Sequence, residues 1–252
     1  MENLKKFYID GKWVDPQSST TFPVTNPATE EEIGVIAMGG KKDVDIAVNA
    51  AKNAFISFSQ TSKEDRLILL KKVRDITTRR FDELAEAITI EMGAPSTMAK
   101  EAQADAAIGH LDGFINALEK LKESEKLENG DILTKEPIGV CGLITPWNWP
   151  INQITLKVLP ALATGCTCIL KPSEHTPLSA ILYAEIIDEA GYPPGVFNLI
   201  NGDGPTVGSE LSKHPDIQMM SFTGSTRAGI CVTKDSADTV KRVTLELGGK
   251  SP

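Results

Sequence analysis

The sequence contains no apolar run that approaches the roughly 20 residues of a membrane-spanning helix. Its first twelve residues include Lys5 and Lys6 but no apolar segment after them, so they do not resemble a secretory signal. A basic cluster is also missing, and the formal net charge is -8. Because excess negative charge disfavours nucleic acid and anionic membranes, we expect neither as a partner.

Cysteine and histidine are scarce, with 4 cysteines and 3 histidines among 252 residues. The cysteine spacing does not suggest a disulfide framework, and the histidines show no metal-ligand spacing with the cysteines. Three cysteines lie in apolar runs typical of buried elements, which fits a protein of the reducing cytoplasm. We predict no metal site. The four positions are Cys141, Cys166, Cys168 and Cys231.

The most informative stretch of the sequence is residues 139–174. An apolar run over 140–145 predicts a buried strand and leads into a polar turn that contains two prolines and two tryptophans. Apolar residues at helical spacing follow, and a second apolar run over 166–170 ends on Lys171-Pro-Ser-Glu174. Strand, helix and strand in this order predict a right-handed crossover in a parallel sheet. Both polar clusters then lie at the carboxyl ends of strands, where such sheets bind ligands.

The rest of the chain extends this pattern. A hairpin around Asp10-Gly11 is predicted to be peripheral, and a run of helices follows from about residue 41 to residue 122. After residue 174 strands and helices alternate, with Thr176 and Pro177 predicted as the cap and first residue of a helix. We count about five parallel strands, which predicts an α/β, doubly wound, Rossmann-like sheet. The expected divisions are an N-terminal hairpin and helices (1–122), a linker or protruding hairpin (123–137), and the sheet (138–252).

Two glycine-rich turns could hold a dinucleotide phosphate. Gly204 belongs to a G-x-G-x-x-x-G pattern that misses the usual spacing by one residue, and Gly224 precedes Ser225 at a predicted helix start. Either could equally be a tight turn. The Gly249-Lys250-Ser251 segment is not a P-loop, because the required first glycine falls at Thr244.

Four polar residues admit both a structural and a chemical interpretation. Lys171 and Glu174 form either a surface salt bridge or a ribose-binding pair; a carboxylate there would accept from ribose hydroxyls and repel a 2′-phosphate. Asn148 is either a turn residue or a donor to an oxyanion. Glu246, among apolar neighbours in a predicted strand, is either a rim carboxylate or a general base.

Four motifs in this order and spacing resemble the aldehyde dehydrogenase superfamily over nearly the whole chain. They are Pro146-Trp147-Asn148, Lys171-Pro-Ser-Glu174, Phe222-Thr-Gly-Ser225 and Leu245-Glu-Leu-Gly-Gly249. The resemblance implies an NAD-dependent enzyme that oxidises an aldehyde to a carboxylic acid through a cysteine thioester. It also implies that the segment over 123–137 is a hairpin for oligomer contacts, in a homodimer or homotetramer.

The resemblance assigns roles to individual residues. Asn148 would form half of the oxyanion hole, Glu246 would activate the deacylating water, and Lys157, otherwise a solvated helix residue, would lie near the nicotinamide ribose. Gly224 and Ser225 would form the pyrophosphate loop. The full set of cofactor residues implied is Ile144, Thr145, Pro146, Trp147, Lys171, Ser173, Glu174, Gly204, Pro205, Phe222, Thr223, Gly224, Ser225 and Leu247.

The sequence departs from the family pattern at one decisive point. It stops at Pro252, before the family's nucleophilic cysteine, and none of its four cysteines has that context. We therefore expect the N-terminal, cofactor-binding portion of such an enzyme, inactive by itself. A stand-alone nucleotide-binding or assembly module remains an alternative, as does a short dehydrogenase that uses one of the cysteines present.

Overall fold

A computed structural model of the chain describes residues 3–249. Most of these residues belong to strands and α-helices, joined by two π-helical turns and one 3₁₀ turn. The strands are β1 (Phe7–Ile9), β2 (Lys12–Val14), β3 (Thr21–Thr25), β4 (Glu32–Ala37), β5 (Ser124–Lys126), β6 (Ile132–Thr134), β7 (Val140–Ile144), β8 (Thr167–Lys171), β9 (Phe197–Leu199), β10 (Met219–Gly224) and β11 (Arg242–Leu247). The α-helices are α1 (Lys41–Phe58), α2 (Lys63–Arg79), α3 (Phe81–Met92), α4 (Ser96–Met98), α5 (Asp105–Lys120), α6 (Pro150–Ala163), α7 (Leu178–Glu189), α8 (Ser209–Lys213) and α9 (Thr226–Ser236).

A seven-stranded sheet with the order β11-β10-β7-β8-β9-β1-β2 forms the centre of the molecule. Its first five strands are parallel, which confirms the doubly wound fold. From β7 the chain continues outward to β8 and β9 on one side, and later to β10 and β11 on the other. The boundary between β7 and β10 is therefore the topological switch point, where open α/β sheets bind their ligands.

The prediction that the first hairpin is peripheral was wrong. β1 pairs antiparallel with β9, with Tyr8 opposite Leu199, so the hairpin extends the central sheet. Phe7, Tyr8 and Ile9 are all buried, and the Tyr8 hydroxyl lies 2.6 Å from an Asp188 carboxylate oxygen. Three consecutive apolar residues can be buried on both faces of a sheet, and packing of this kind explains why so short a strand is stable.

Helices cover both faces of the sheet. One large apolar cluster includes buried residues of α2, α3, α5, α6 and α7, and a second includes buried residues of α1, α8 and α9. Near the end of the helical run expected from about residue 41 to residue 122, Ala99–Ala104 form a π-helical turn between α4 and α5. In the part of the chain that the structure describes, no helix is long and apolar enough to cross a membrane.

The segment over 123–137 contains a hairpin. β5 and β6 pair antiparallel as a separate two-stranded sheet. Its exposed apolar residues include Leu127, Ile132 and Leu133. An oligomer contact through this hairpin stays a prediction.

The prediction that Thr176 caps α7 was also wrong. The helix begins at Leu178, and the buried carboxylate of Glu91 accepts from the backbone N–H groups of Leu178 and Ser179 and from the Ser179 hydroxyl. Pro177 has no N–H to donate, so the first free donors are those of the next two residues. Burial raises the pKa of Glu91 to about 7, although the hydrogen bonds from Ser179 and Leu178 oppose the shift.

Replacing Glu91 by alanine is therefore expected to destabilise the fold by about 3 kcal/mol, because it leaves three buried donors without their acceptor. Urea unfolding followed by circular dichroism would measure the loss. Glu91→Gln keeps one acceptor oxygen and should lose less. Glu86→Ala, at an exposed position of the same helix, is the matched control. Equal stability of Glu91→Ala and Glu86→Ala would contradict the capping role.

Candidate active site

Two cavities lie at the carboxyl end of the parallel strands. Cavity A has a volume of about 710 Å³ and cavity B about 390 Å³. Predicted site residues that line cavity A are Pro146, Trp147, Asn148, Lys157, Thr223, Gly224, Ser225, Glu246 and Leu247. Those that line cavity B are Ile144, Gly204, Pro205 and Phe222. Residues distant in sequence thus meet at the switch point, because strands β7 and β10 are neighbours there.

Lys157 reaches cavity A from helix α6. Its side chain is buried and its Nζ donates to Ser221 Oγ at 3.0 Å, which rules out the solvated helix face considered from sequence. Burial lowers the pKa of Lys157 to about 8, and the negative charge of Glu246 partly offsets this shift. An ammonium group with such a pKa can give up or take a proton near neutral pH. Ser221 was missed from sequence, although it lines the same cavity one residue before Phe222 in β10.

Glu246 lies at the fifth position of β11, opposite Thr223 of β10. Its neighbours in sequence predicted an apolar environment for this carboxylate. In the described part of the chain the Glu246 side chain is instead exposed at the rim of cavity A. The physical reason is the position of β11 as the outermost strand, which pairs on one side with β10. An exposed carboxylate at a cavity rim can accept a proton from water in the cavity.

Asn148 lies in the turn between β7 and α6. Pro150 opens the helix, and the residues before it project Asn148 and Trp147 into cavity A, where both are exposed. The side-chain amide of Asn148 therefore has a donor N–H group at the cavity surface, in the same cavity as Lys157 and Glu246. Such a donor can stabilise negative charge that develops on an oxygen atom.

The β10–α9 junction is the segment that was predicted to bind phosphate. Ser225 caps α9, and its Oγ accepts from the Ala228 N–H at 3.2 Å. A Cβ added at Gly224 would lie 2.6 Å from the Phe222 ring, so any other residue would require this buried ring to shift. The positive end of the helix dipole and the first N–H groups of α9 thus face a cavity large enough for an anion.

Lys171 is the last residue of β8 and Glu174 follows the strand, but the two do not form a surface salt bridge. Lys171 is buried and its Nζ donates to the carbonyl oxygens of Pro172 at 2.8 Å and Gly202 at 2.7 Å. Glu174 lies 3.6 Å from the same Nζ and is partly exposed. Burial lowers the pKa of Lys171, and the charge of Glu174 opposes that shift. The lysine thereby ties the glycine-rich loop after β9 to the end of β8.

Four of the predicted cofactor residues line neither cavity: Lys171 and Glu174, described above, and also Thr145 and Ser173. Thr145 is buried, and its backbone N–H donates to the Lys171 carbonyl at 3.2 Å. Ser173 is also buried, and its Oγ accepts from the His175 N–H at 3.3 Å. The Thr145 contact links the ends of β7 and β8, whereas the Ser173 contact lies within the turn after β8. The assignment of these residues to the cofactor stays a prediction.

The positions of the four cysteines bear directly on chemistry. Cys141 and Cys168 are buried in β7 and β8, and Cys166 is buried just before β8. Cys231 is exposed on α9, where it lines cavity B. Among the described residues, no cysteine lines cavity A. The groups around cavity A can therefore bind an anion, polarise an oxygen and move a proton, but a thiol nucleophile does not stand beside them.

Comparison with known proteins gives a consistent set of similarities. A model of the aldehyde dehydrogenase family matches residues 13–252. Over 252 residues the chain is 54% identical to a 3-succinoylsemialdehyde-pyridine dehydrogenase of a Pseudomonas species, a match that covers 100% of this chain and 53% of that relative. The chain spans about half the length of the curated relatives that it matches.

Solved structures agree in fold. The crystal structure of an aldehyde dehydrogenase from Bartonella henselae is similar with a TM-score of 0.97 and 53% identity, covering 100% of this chain and 53% of that one. A mutant of aldehyde dehydrogenase C from Pseudomonas syringae, in complex with NAD⁺ and octanal, is similar with a TM-score of 0.97 and 51% identity. That match covers 99% of this chain and 51% of the other.

Proposed function

This chain belongs to the aldehyde dehydrogenase family, and we propose that it is the NAD-binding portion of an enzyme that oxidises an aldehyde to a carboxylic acid. The observation that carries the proposal is the position of cavities A and B at the switch point, where both are lined by residues of the β10–α9 junction. A dinucleotide needs two pockets and an anion site between them. Relatives of similar fold have been crystallised with NAD⁺, which supports the choice of cofactor.

The residues of the chain fit each part of the cofactor. The adenine would lie in cavity B beside Gly204 and Pro205, and its ribose hydroxyls would donate to Glu174. The pyrophosphate would accept from the N–H groups at the start of α9, next to Ser225. The nicotinamide would lie toward Lys157. When bound, NAD⁺ supplies the acceptor for the hydride that the substrate loses.

Three residues that line cavity A would carry out the other steps of the reaction. Asn148 would donate to the oxygen of the aldehyde as negative charge develops on it, and Glu246 would take a proton from the water that hydrolyses a thioester. Lys157, with its lowered pKa, would carry a proton near the nicotinamide ribose. The thioester itself requires a thiolate in cavity A. We infer that this thiolate does not come from the four cysteines of this chain.

The same observation favours an alternative, a nucleotide-binding module without catalysis. Of the present cysteines, Cys231 alone lines one of the two cavities, and it lines cavity B, on the adenine side of the proposed cofactor. A short dehydrogenase that uses one of them is therefore disfavoured. Experiments must therefore distinguish the NAD-binding portion of an enzyme from a nucleotide-binding module without catalysis.

We expect this 252-residue polypeptide to produce no NADH from NAD⁺ and a simple aldehyde such as acetaldehyde or octanal. The reason is that no thiol stands in cavity A to attack the carbonyl carbon. Absorbance at the NADH band would follow the reaction, with a known aldehyde dehydrogenase as the positive control. Turnover above background would contradict the expectation, and Cys231→Ser would then show whether the exposed thiol is responsible.

We expect NAD⁺ to bind more tightly than NADP⁺, by at least about tenfold, a ratio that corresponds to about 1.4 kcal/mol. A 2′-phosphate would meet the carboxylate of Glu174, and the unfavourable like-charge contact weakens binding. Calorimetric titration with both cofactors would give the ratio. Glu174→Gln should reduce the preference for NAD⁺ over NADP⁺, whereas Glu86→Gln, on a distant helix face, should leave it unchanged. Equal or tighter NADP⁺ binding by the parent chain would contradict the assignment of Glu174.

A further inference from the structure

A third cavity adjoins cavity A and has a largely apolar lining. Cavity C has a volume of about 210 Å³, and its apolar side chains include Leu143, Leu156, Pro160, Ala161 and Met219. Leu156, Lys157 and Ser221 line both A and C, so the two cavities are neighbours. Because a water molecule occupies about 30 Å³ in the liquid, cavity C has room for a chain of several heavy atoms. The proposed function assigns no ligand to it.

Lys157 is the one residue with an amine among the described residues that line cavity C. It lies on α6, is 8% exposed, and donates from Nζ to the Ser221 hydroxyl oxygen at 3.0 Å. Apolar neighbours exclude water from the ammonium group, and a hydroxyl oxygen carries no full negative charge to offset that loss. Burial accordingly lowers the pKa of Lys157 to about 8, although the charge of Glu246 opposes the shift. A lysine amine in its neutral form is a nucleophile.

Cavity A contains the groups that would assist the reaction of such an amine with a carbonyl compound. Asn148 presents a donor N–H group there, and Glu246 presents a carboxylate that can accept and return a proton. The amine, the donor for a carbonyl oxygen and the group for proton transfer together suit an aldehyde. The adjoining cavity C offers an apolar surface to the alkyl chain of the same molecule. These features favour an aliphatic aldehyde.

We propose that Lys157 is a site of covalent aldehyde capture, where its amine forms an imine with an aliphatic aldehyde whose carbonyl group lies in cavity A and whose alkyl chain lies in cavity C. In the first step the Nζ lone pair forms a bond to the carbonyl carbon, and a proton passes from nitrogen to the former carbonyl oxygen. In the second step the hydroxyl of this carbinolamine takes up a proton and leaves as water, and the nitrogen releases its remaining proton. The products are one imine and one water molecule, and no oxidant or reductant takes part.

Two other lysines separate the effect of burial from that of the cavities. Burial lowers the pKa of Lys171, and it lowers the pKa of Lys241 to about 8. Neither is among the residues that line cavity A, B or C. Lys171 Nζ donates to two backbone carbonyl oxygens, and Lys241 Nζ donates to the His214 carbonyl oxygen. Lys241 is therefore the matched internal control, because its amine shares the lowered pKa but lines none of the three cavities.

Capture of an aldehyde would have a consequence for a complete enzyme. An imine at Lys157 would remove the amine that is proposed to carry a proton near the nicotinamide ribose. This consequence rests on the proposed function, whereas the capture itself needs no NAD⁺. The experiment therefore omits NAD⁺, so that failure of the capture and failure of the proposed function are distinguishable.

The test uses the 252-residue chain at pH 7, incubated with hexanal or, in parallel, with formaldehyde. Cyanoborohydride is present in both, because it adds hydride to an imine and fixes the aldehyde carbon on the nitrogen. Digestion with a protease that does not cleave at lysine, followed by mass spectrometry, gives the rate of alkylation at each position. With hexanal we expect Lys157 to react at least about tenfold faster than Lys241, since burial of about two methylene groups is enough for that ratio. Lys72, exposed on α2, should also react more slowly than Lys157.

Three results would overturn the proposal. The first is the absence of a Lys157 adduct under conditions in which hexanal alkylates Lys72. The second is equal rates at Lys157 and Lys241, which would show that a lowered pKa alone explains the labelling. The third is a preference for Lys157 that is as large with formaldehyde, which has no alkyl chain, as with hexanal. Every measurement is made on the parent chain, so the outcome does not depend on how a variant folds.

Discussion

Asn148→Ala is expected to slow hydride transfer by about 100- to 1,000-fold in an active aldehyde dehydrogenase that includes this segment. The alanine removes the N–H group that Asn148 presents to cavity A, so the oxygen of the attacked aldehyde loses a donor as its negative charge develops. Losing this donor slows the reaction up to and including the step that forms NADH. A pre-steady-state measurement should therefore show a slowed or absent burst of NADH.

The matched control for this experiment is Asn53→Ala, because Asn53 is an exposed asparagine on α1 outside both cavities. Its burst should equal that of the parent enzyme. Thermal unfolding of both variants would show that the fold is intact. A normal burst in Asn148→Ala would contradict the role of this residue as an oxyanion donor.

Glu246→Gln is expected to lower steady-state turnover by about 10²- to 10⁴-fold while the burst of NADH is kept. The carboxylate stands exposed at the rim of cavity A, where water can reach it, and an amide cannot take a proton from that water. Thioester hydrolysis follows hydride transfer. The first NADH should therefore form at the normal rate, after which the acylated enzyme accumulates.

A different outcome would change the assignment of Glu246. If Glu246→Gln removes the burst as completely as Asn148→Ala does, the carboxylate acts before hydride transfer, for example by deprotonating the thiol. Glu86→Gln, an exposed glutamate on α3, is the control for charge removal and should behave as the parent. Trapping the acylated enzyme by acid quench would show directly which step has slowed.

Local sequence patterns predicted the part of the fold that forms the site. An apolar run followed by a polar cluster marked the ends of β7 and β8, and Ser225 marked the start of α9. Each of these signals lies within a few residues, and each depends on backbone preferences that act locally. The parallel order then followed from the length and type of the connections.

Contacts between distant residues were the ones that sequence reasoning missed. β1 joins the sheet through Tyr8 and Leu199, and Glu91 caps a helix that begins at Leu178. Neither partner is marked by its neighbours in sequence, because each pairing depends on how the whole sheet and its helices pack. Strand β3 was not predicted at all, since it contains Pro23, a residue that weakens the sequence signal for a strand.

The candidate site was likewise predicted only in part. The chemical types of Asn148, Lys157 and Glu246 were foreseen through the resemblance, and the structure brings all three to cavity A. Their environments were not: Lys157 is buried against Ser221, and Glu246 is open to solvent. The burial of a side chain depends on the strands and helices that pack around it, so the local sequence pattern could not predict it.

The most direct test of the account is a crystal structure of this chain grown with NAD⁺. We predict that the adenine lies beside Gly204 and Pro205 in cavity B, that the pyrophosphate contacts the start of α9 at Ser225, and that the nicotinamide reaches cavity A. NAD⁺ bound away from the switch point, or bound with its adenine in cavity A and its nicotinamide in cavity B, would contradict the proposed function.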